Sequence, residues 1–565
     1  MSGKFKEIIA SILSGKIGVS AEEVFKLIEI PKKPEWGDYA FPCFQLSKSL
    51  GRNPAEIAGE LAGELALSGD FKGINAAGPY LNFTIKSQTL AQLVLNDIYA
   101  KEDGYGKSMA GKGKCVVIEY SSPNIAKPFG IGHLRSTVIG NSLCKIYRKL
   151  GYEVVGINHV GDWGKQFGLL LAAFKRWGDK TALNKEPVKY LYELYVKVNK
   201  AVEKGDSSLD AEGGREFKAL EDGDKEVAGL WQLFRDLSMR EFDNIYRRIG
   251  VTFQSSVGEA FYNDKVSSTL ARLRQSGVAK LSQGAWIANL KEFGLGVGIV
   301  QKTDGATIYL TRDICAAEYR WENYKFHKML YVVGQPQELH FKQLFKILEL
   351  QGNNWAASCE HVKFGYILGM STRKGNLVFL ADVLDEAKER ALKKMKESPV
   401  GEKIENADRV AEIIGITAVI FNDLSSARIK DVEFNWERML SFEGDTGPYL
   451  QNAHARICSI IRKAGMQVTD QVDFSLLAED ECKLLLNLLV IFPDKISEAA
   501  EFDEPSVISR YLLQLGAALH KSYKALRIIG SPEPLARARL LLFWCVKIVL
   551  KNGLDLLGIP ALEKM

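Results

Sequence analysis

Nowhere in the 565 residues is there an apolar run of about 18 or more, so no segment reads as a membrane-spanning helix. The opening stretch, MSGKFKEIIASILSG, has the pattern of an amphipathic helix and lacks the continuous apolar core of a secretion signal, which makes a cytoplasmic protein the expectation. Cysteine is sparse. The eight present are scattered, mostly in apolar contexts, and no CxxC pair occurs. That argues against a zinc site and against a disulfide framework, and no metal-ligand set is expected. An excess of one charge sign is also missing: the formal net charge is +5, which permits a nucleic-acid partner only through a local basic surface. Internal repeats and low-complexity tracts are absent.

What remains is an ordinary globular composition, long enough for about three or four domains. Residues 1–108 alternate helical patterns (EVFKLIEI, AEIAGELAGELAL) with strand-like runs (AGPYLNFTI), as in a small α/β domain. The Gly- and Lys-rich segment 101–115 marks a boundary. From 115 the rhythm becomes strand (CVVIEY), helix (STVIGNSLCKIYRKLG), strand (YEVVGINHV), a βαβ unit and hence a parallel sheet. A charged helical stretch near 170–260 reads as a surface insertion. Strand-like runs then resume at GVGIVQ, ATIYLT, KMLYVVG and HVKFGYIL, expected to complete the sheet within a domain spanning 115–400. Residues 405–565 are almost wholly helical in pattern, which predicts a bundle.

The loop inside the βαβ unit, SSPNIAKPFGIGHLRSTVIG (121–140), concentrates two prolines and three glycines between a strand and a helix. A helix N-terminus offers unpaired N–H groups and partial positive charge, and glycine lets a phosphate approach the backbone. Lys127, His133 and Arg135 add cationic side chains. On spacing alone, an anion site and a tight turn carrying a surface histidine are equally good readings.

The residues themselves carry more. This segment resembles the first signature of class I aminoacyl-tRNA synthetases in its arginyl form, Pro-Asn-x-Ala-Lys-Pro-x-His-x-Gly-His-Leu-Arg-Ser. Pro123, Asn124, Ala126, Lys127, Pro128, Gly132, His133, Leu134, Arg135 and Ser136 match; Gly130 replaces the first histidine. NHVGDWGKQFG (158–168), TDGATIYLTRDICAA (303–317), YVVGQPQELHFKQ (331–343), GMSTRKGN (369–376), FNWERML (434–440), GPYLQNAHARICSI (447–460) and the terminal GLDLLGIPALEKM are similar to further segments of the same family, in order. The resemblance therefore spans essentially the whole chain.

It implies an α/β fold: a Rossmann-like parallel-sheet catalytic domain, an N-terminal α/β domain that contacts tRNA, and a C-terminal all-α anticodon-binding domain. It implies ATP and Mg²⁺ as cofactors, L-arginine and tRNA(Arg) as partners, and a monomer. Gly130, Gly132, His133, His340, Met370 and Ser371 would bind ATP. Lys127, His133, Arg373 and Lys374 would act on the phosphates, with Lys127 standing in for the loop lysine that Gly369 replaces. Gly369 and Gly375 would let that loop close. Glu119, Asn124, Tyr309, Asp313 and Gln337 would bind arginine, since a planar, permanently charged guanidinium is read by fixed carboxylates. Asp162 and Trp163 are expected beside the site, with Gln166 a candidate contact. Tyr449, Asn452, Tyr523 and Met565 would touch the anticodon loop, with Arg456 and Arg462 on phosphates. Asp38, Tyr39 and GPYLNF are the recognisable parts of the N-terminal domain.

Blander readings stand beside each assignment. Glu119 and Asp313 could be ordinary ion-paired residues, Tyr309, Tyr449 and Tyr523 core fillers, and STRKGN a basic surface turn. Two other functions are open to the same residues: a nucleotidyl-transfer enzyme that activates a small acid without tRNA, and a non-catalytic tRNA-binding relative, the latter kept open by Gly130 and Gly369.

Overall fold

The computed structural model describes residues 2–31, 36–65, 69–369, 378–397 and 406–565. Four parallel strands form its centre, in the order Cys359–His361, Lys328–Tyr331, Cys115–Glu119, Glu153–Ile157. Glu119 pairs with both Tyr331 and Ile157, so three carboxyl ends finish level. From Cys115–Glu119 the chain runs through the helix Ile131–Lys149 to the strand on one side. From Lys328–Tyr331 it runs through the helix Glu338–Leu350 to the strand on the other. The direction of winding therefore reverses between the two middle strands, and open sheets bind ligands in the crevice outside such a reversal.

The sheet is smaller than its sequence suggested. KMLY joins it, but of HVKFGYIL only His361 does, at the end of Cys359–His361, while Ile367–Leu368 pairs with Val432–Glu433 in a separate sheet. GVGIVQ does not join either, since Val297–Gln301 is the edge of a separate antiparallel sheet with Ala279–Ser282 and Ala285–Asn289. Val297 and Ile299 on that strand stay exposed, so its alternation is that of a one-sided antiparallel strand rather than a buried parallel one. ATIYLT is not a strand at all, because Tyr309 opens the helix Tyr309–Tyr324. A short β-branched run before a helical pattern cannot be told from a strand by periodicity alone.

Five helices fill the insertion, from Lys165–Trp177 to Lys225–Ile249. It is not only a surface feature. Ser238, Phe242 and Tyr246, four residues apart on the last helix, are buried against the signature loop.

The N-terminal domain is a three-stranded antiparallel sheet (Tyr39–Pro42, Tyr80–Ile85, Phe71–Ala77) packed with helices. The C-terminal region is helical, built on Ala407–Leu424, Gly447–Ala464, Asp480–Glu501, Ser506–Ala525 and Glu533–Leu556. Two ion pairs, one buried and one half-buried, fasten it to the sheet domain. Arg135 on the signature helix meets Asp423 at 3.0 Å, and Lys328 meets Asp503 at 2.5 Å. Asp503 also accepts a hydrogen bond from the Tyr147 hydroxyl. Asp38 accepts from the Ile85 amide within the N-terminal sheet and from Asn487 of the helical domain, so it is a joint between the two.

Candidate active site

The three glycines of the signature loop serve different ends. Gly140 lets the helix lie close on the strand, because a Cβ there would stand 2.2 Å from the Tyr120 ring. Gly130 is the N-cap, in extended backbone, and its amide donates to His133 Nδ1 at 3.2 Å. Gly132 faces open space: a Cβ there would meet no protein atom within 4 Å. A position that spares a side chain without any protein contact to avoid is suited to leave room for a ligand.

Gly132 and His133 line a cavity of about 380 Å³ at the strand reversal, together with Ser121, Ser122, Gly334, Gln337 and Tyr366. Burial holds His133 below its ordinary pKa, and the nearby charge of Lys127 acts in the same direction. Its Nδ1 accepts the Gly130 amide, so the neutral ring carries its proton on Nε2 and can donate there. Lys127 lies 4.7 Å from the ring centre of Tyr195, contributed by the insertion. Arg135 does not face the cavity with a free charge. Its guanidinium is buried on Asp423 and donates to the carbonyls of Lys430 and Arg428.

The strand-to-helix loop is strained. Ser121, Ser122 and Ala126 have φ of 71°, 48° and 59°, the left-handed region that side chains other than glycine's disfavour. Asn124 sits among them, with its main chain bridged to Gly161 and its side chain filling the space a Cβ at 161 would occupy.

Carboxylates gather on the other side of the crevice. Glu119 is buried and ion-paired with the fully buried Arg320 at 2.5 Å. Asp162 accepts from Arg235 at 3.0 Å and from the Ala260 amide at 2.8 Å, which fits a supporting role. Trp163 packs edge-on against Phe217 and Trp231. Asp313, in the first turns of its helix, accepts from His340 Nε2 at 2.7 Å, and the Tyr309 ring lies 4.8 Å from that of His340. His340 thus pairs with the acidic group through Asp313.

One acid escaped the sequence. Burial and the nearby Asp313 raise the Glu259 carboxyl to about 8, against an opposing pull from Arg312. Glu259 lies in SSVGEAFYND, between the insertion helix and the next, where no motif or periodicity marks it. Only the fold brings it to Asp313. Arg320 was likewise invisible, eleven positions before the strand residue Tyr331 that its guanidinium overlies.

Met370, Ser371, Arg373, Lys374 and Gly375 lie outside the described residues. The segment that follows them is anchored to the signature loop: Ile131 donates to Val378 and Leu380 to Phe129.

In the helical domain, Tyr449, Asn452 and Tyr523 share one cavity of about 690 Å³ with Arg456, His520 and Lys521. Arg456 lies 4.2 Å over the Tyr523 ring. Met565 instead packs, half-buried, against the core, and Arg462 donates to the Glu563 carbonyl.

Comparison with known proteins agrees with this layout. The profile of the class I tRNA synthetase (R) catalytic domain matches residues 94–436, that of the DALR anticodon binding domain 450–565, and that of the arginyl tRNA synthetase N terminal domain 3–85. The arginine–tRNA ligase of Clostridium botulinum is 45% identical over 566 aligned residues, covering 99% of this chain and 100% of the relative. This chain belongs to the class I arginyl-tRNA synthetases. That of Halothermothrix orenii is 43% identical, again over 99% of this chain and 100% of the relative. Among solved structures, Thermus thermophilus arginyl-tRNA synthetase superposes with a TM-score of 0.84 at 25% identity, covering 100% of both chains. The Plasmodium falciparum arginyl-tRNA synthetase shares the fold, with a TM-score of 0.81 at 23% identity over 99% of each chain. No helix among the described residues is long and apolar enough to cross a membrane.

Proposed function

We propose that this chain joins L-arginine to tRNA(Arg) in two steps at the strand reversal. In the first, a carboxylate oxygen of arginine attacks the α-phosphorus of ATP, and the bond to the bridging oxygen breaks to release pyrophosphate. In the second, a terminal ribose hydroxyl of tRNA attacks the arginyl carbonyl, releasing AMP and leaving the ester. The carrying observation is that Gly132 and His133 share a single cavity with Gln337, three residues from the Asp313 partner His340.

In this reading the helix N-terminus, the open space at Gly132 and the Nε2–H of His133 receive the nucleotide, with Lys127 at the phosphates. Fixed donors of this kind stabilise charge as it develops. Met370 and Ser371 are read as further ATP contacts and Arg373 and Lys374 as further phosphate contacts, all four outside the described residues. Asp313 and Glu259 receive the guanidinium, Tyr309 covers it, and Asn124 and Gln337 orient the rest of the arginine. Glu119 contributes a carboxylate already held by Arg320. Lysine would leave buried acceptors unpaired and is rejected on that ground.

Among the described residues no group of three or more His, Cys, Asp or Glu could hold a metal ion, so those residues offer no cage for Mg²⁺. Mg²⁺ is read as arriving on the ATP phosphates, and no step is assigned to it. Tyr449, Asn452, Arg456 and Tyr523 are read as the anticodon contact, Met565 as the end of the chain beside it, and the protein as a cytoplasmic monomer. The test is aminoacylation with labelled arginine: acid-stable label on tRNA(Arg) supports the proposal, and label transfer equal to an ATP-free control overturns it.

A further inference from the structure

Three residues of the signature loop hold backbone dihedrals in a region that costs free energy, and something must keep them there. Left-handed backbone at Ser121, Ser122 and Ala126 persists only where the surroundings over-determine it. Those surroundings come from the insertion. The Ala126 amide donates to Ser238 Oγ at 3.0 Å, while that hydroxyl gives its own proton to the Phe234 carbonyl at 2.7 Å. Eight residues on, Tyr246 completes a chain. Asn158 Nδ2 donates to the Tyr246 hydroxyl at 3.2 Å, and the hydroxyl meets Ser121 Oγ at 2.8 Å. Ser121 Oγ meets Thr137 Oγ1 at 2.9 Å, and Thr137 donates to the His133 carbonyl at 2.7 Å. Asn158 donates to Tyr246 and Tyr246 can donate to Ser121, while the single hydroxyl proton of Thr137 faces both Ser121 Oγ and the His133 carbonyl. All five residues bearing these groups outside the loop, Ser238, Tyr246, Asn158, Thr137 and Phe234, are buried.

From this geometry we infer that Ser238 and Tyr246 are positioning residues for the reaction. The last insertion helix clamps residues 121–126 in the left-handed conformation and thereby sets where Asn124 and Lys127 stand. Between the two hydroxyls, Phe242 packs edge-on against Phe129, so a single stripe at positions 238, 242 and 246 backs the loop along its length. The helix is itself anchored to residues that follow GMSTRKGN, because Arg248 pairs with Asp385 and Glu412, each at 2.8 Å. The inference rests on the reading of Asn124 and Lys127 as substrate contacts.

The test is a cycle of full-length variants assayed by arginine-dependent ATP–pyrophosphate exchange with tRNA present: Ser238→Ala, Ala126→Gly and the double variant, with Tyr246→Phe beside them and thermal unfolding recorded for each. Glycine adopts left-handed backbone freely, so it replaces the clamp's work at Ala126. Ser238→Ala should lower kcat about tenfold, the size of one released strained residue, with little change in the KM for tRNA. Ala126→Gly alone should be nearly neutral, and in the double variant it should restore most of the loss. Tyr246→Phe should lower kcat with unfolding temperature close to wild type. Losses that simply multiply in the double variant, or a fall in activity that tracks unfolding temperature, would overturn the clamp. Lys127→Ala separates the two claims: full activity there removes the reading of Lys127 while leaving the cycle's result to judge the clamp.

Discussion

At Gly132 the missing side chain has no protein neighbour to avoid, which separates folding from binding at one position. Gly132→Ala adds a methyl group into the open space of the helix's first turn. Alanine favours the helix by roughly 0.5–1 kcal/mol over glycine, so the variant should unfold no earlier than wild type. Its KM for ATP should nevertheless rise about tenfold, the effect of displacing a phosphate from a fitted cradle. Steady-state kinetics beside a melting curve checks both halves. Glu259 makes the second prediction. Its carboxyl, raised to about 8, is mostly protonated at pH 7 in the free protein. A bound guanidinium favours the ionised form, so binding below pH 8 must expel a proton. The KM for arginine should therefore fall as pH rises from 6.5 toward 8, by up to about tenfold per unit, and level off above. Glu259→Gln should weaken arginine binding and flatten that slope. An unchanged slope in the variant would assign the titration to another group.

Elements, rather than residues, decide how much of this was legible beforehand. The βαβ unit was readable because its helix carries a long periodic pattern and its strands are short apolar runs with clear ends. The same reasoning failed at ATIYLT and GVGIVQ, where β-branched residues in short runs serve a helix start and a one-sided sheet. The insertion was readable as helical from its charge pattern, but its inner stripe was not, since Ser238 and Tyr246 carry no apolar signal that would mark a buried face. Candidate site residues inside the signature could be named from sequence. Glu259 and Arg320 could not, because their partners Asp313 and Glu119 are brought to them only by tertiary packing. At this scale the Arg135–Asp423 pair is the sharpest test. It joins the signature helix to Ala407–Leu424 with both side chains buried. Removing one partner leaves an uncompensated buried charge, so Asp423→Ala should lose about 3–5 kcal/mol in urea unfolding. It should also lower activity, because the Arg135 it releases stands two residues from His133 on the same helix.

Across the whole molecule, a small net charge must serve a polyanionic partner, so the cationic groups have to be local. Arg456 over Tyr523, with His520 and Lys521 in the same cavity, is such a place. Arg456→Ala should weaken tRNA binding and reduce the slope of log affinity against log salt by about one. Tyr523→Leu keeps core volume but removes a stacking face; it should cost roughly 1–3 kcal/mol with the salt slope unchanged. The two ion-paired joints and the Asp38 contact tie all three domains together.

Arginine-dependent ATP–pyrophosphate exchange, run with and without tRNA(Arg) and with lysine and citrulline as controls, tests the central claim most directly. Exchange with arginine alone among the three amino acids is the predicted result, because in the proposed reading a guanidinium is what Asp313 and Glu259 receive. Exchange that ignores the amino acid supplied, or none with tRNA bound and arginine saturating, would contradict the account.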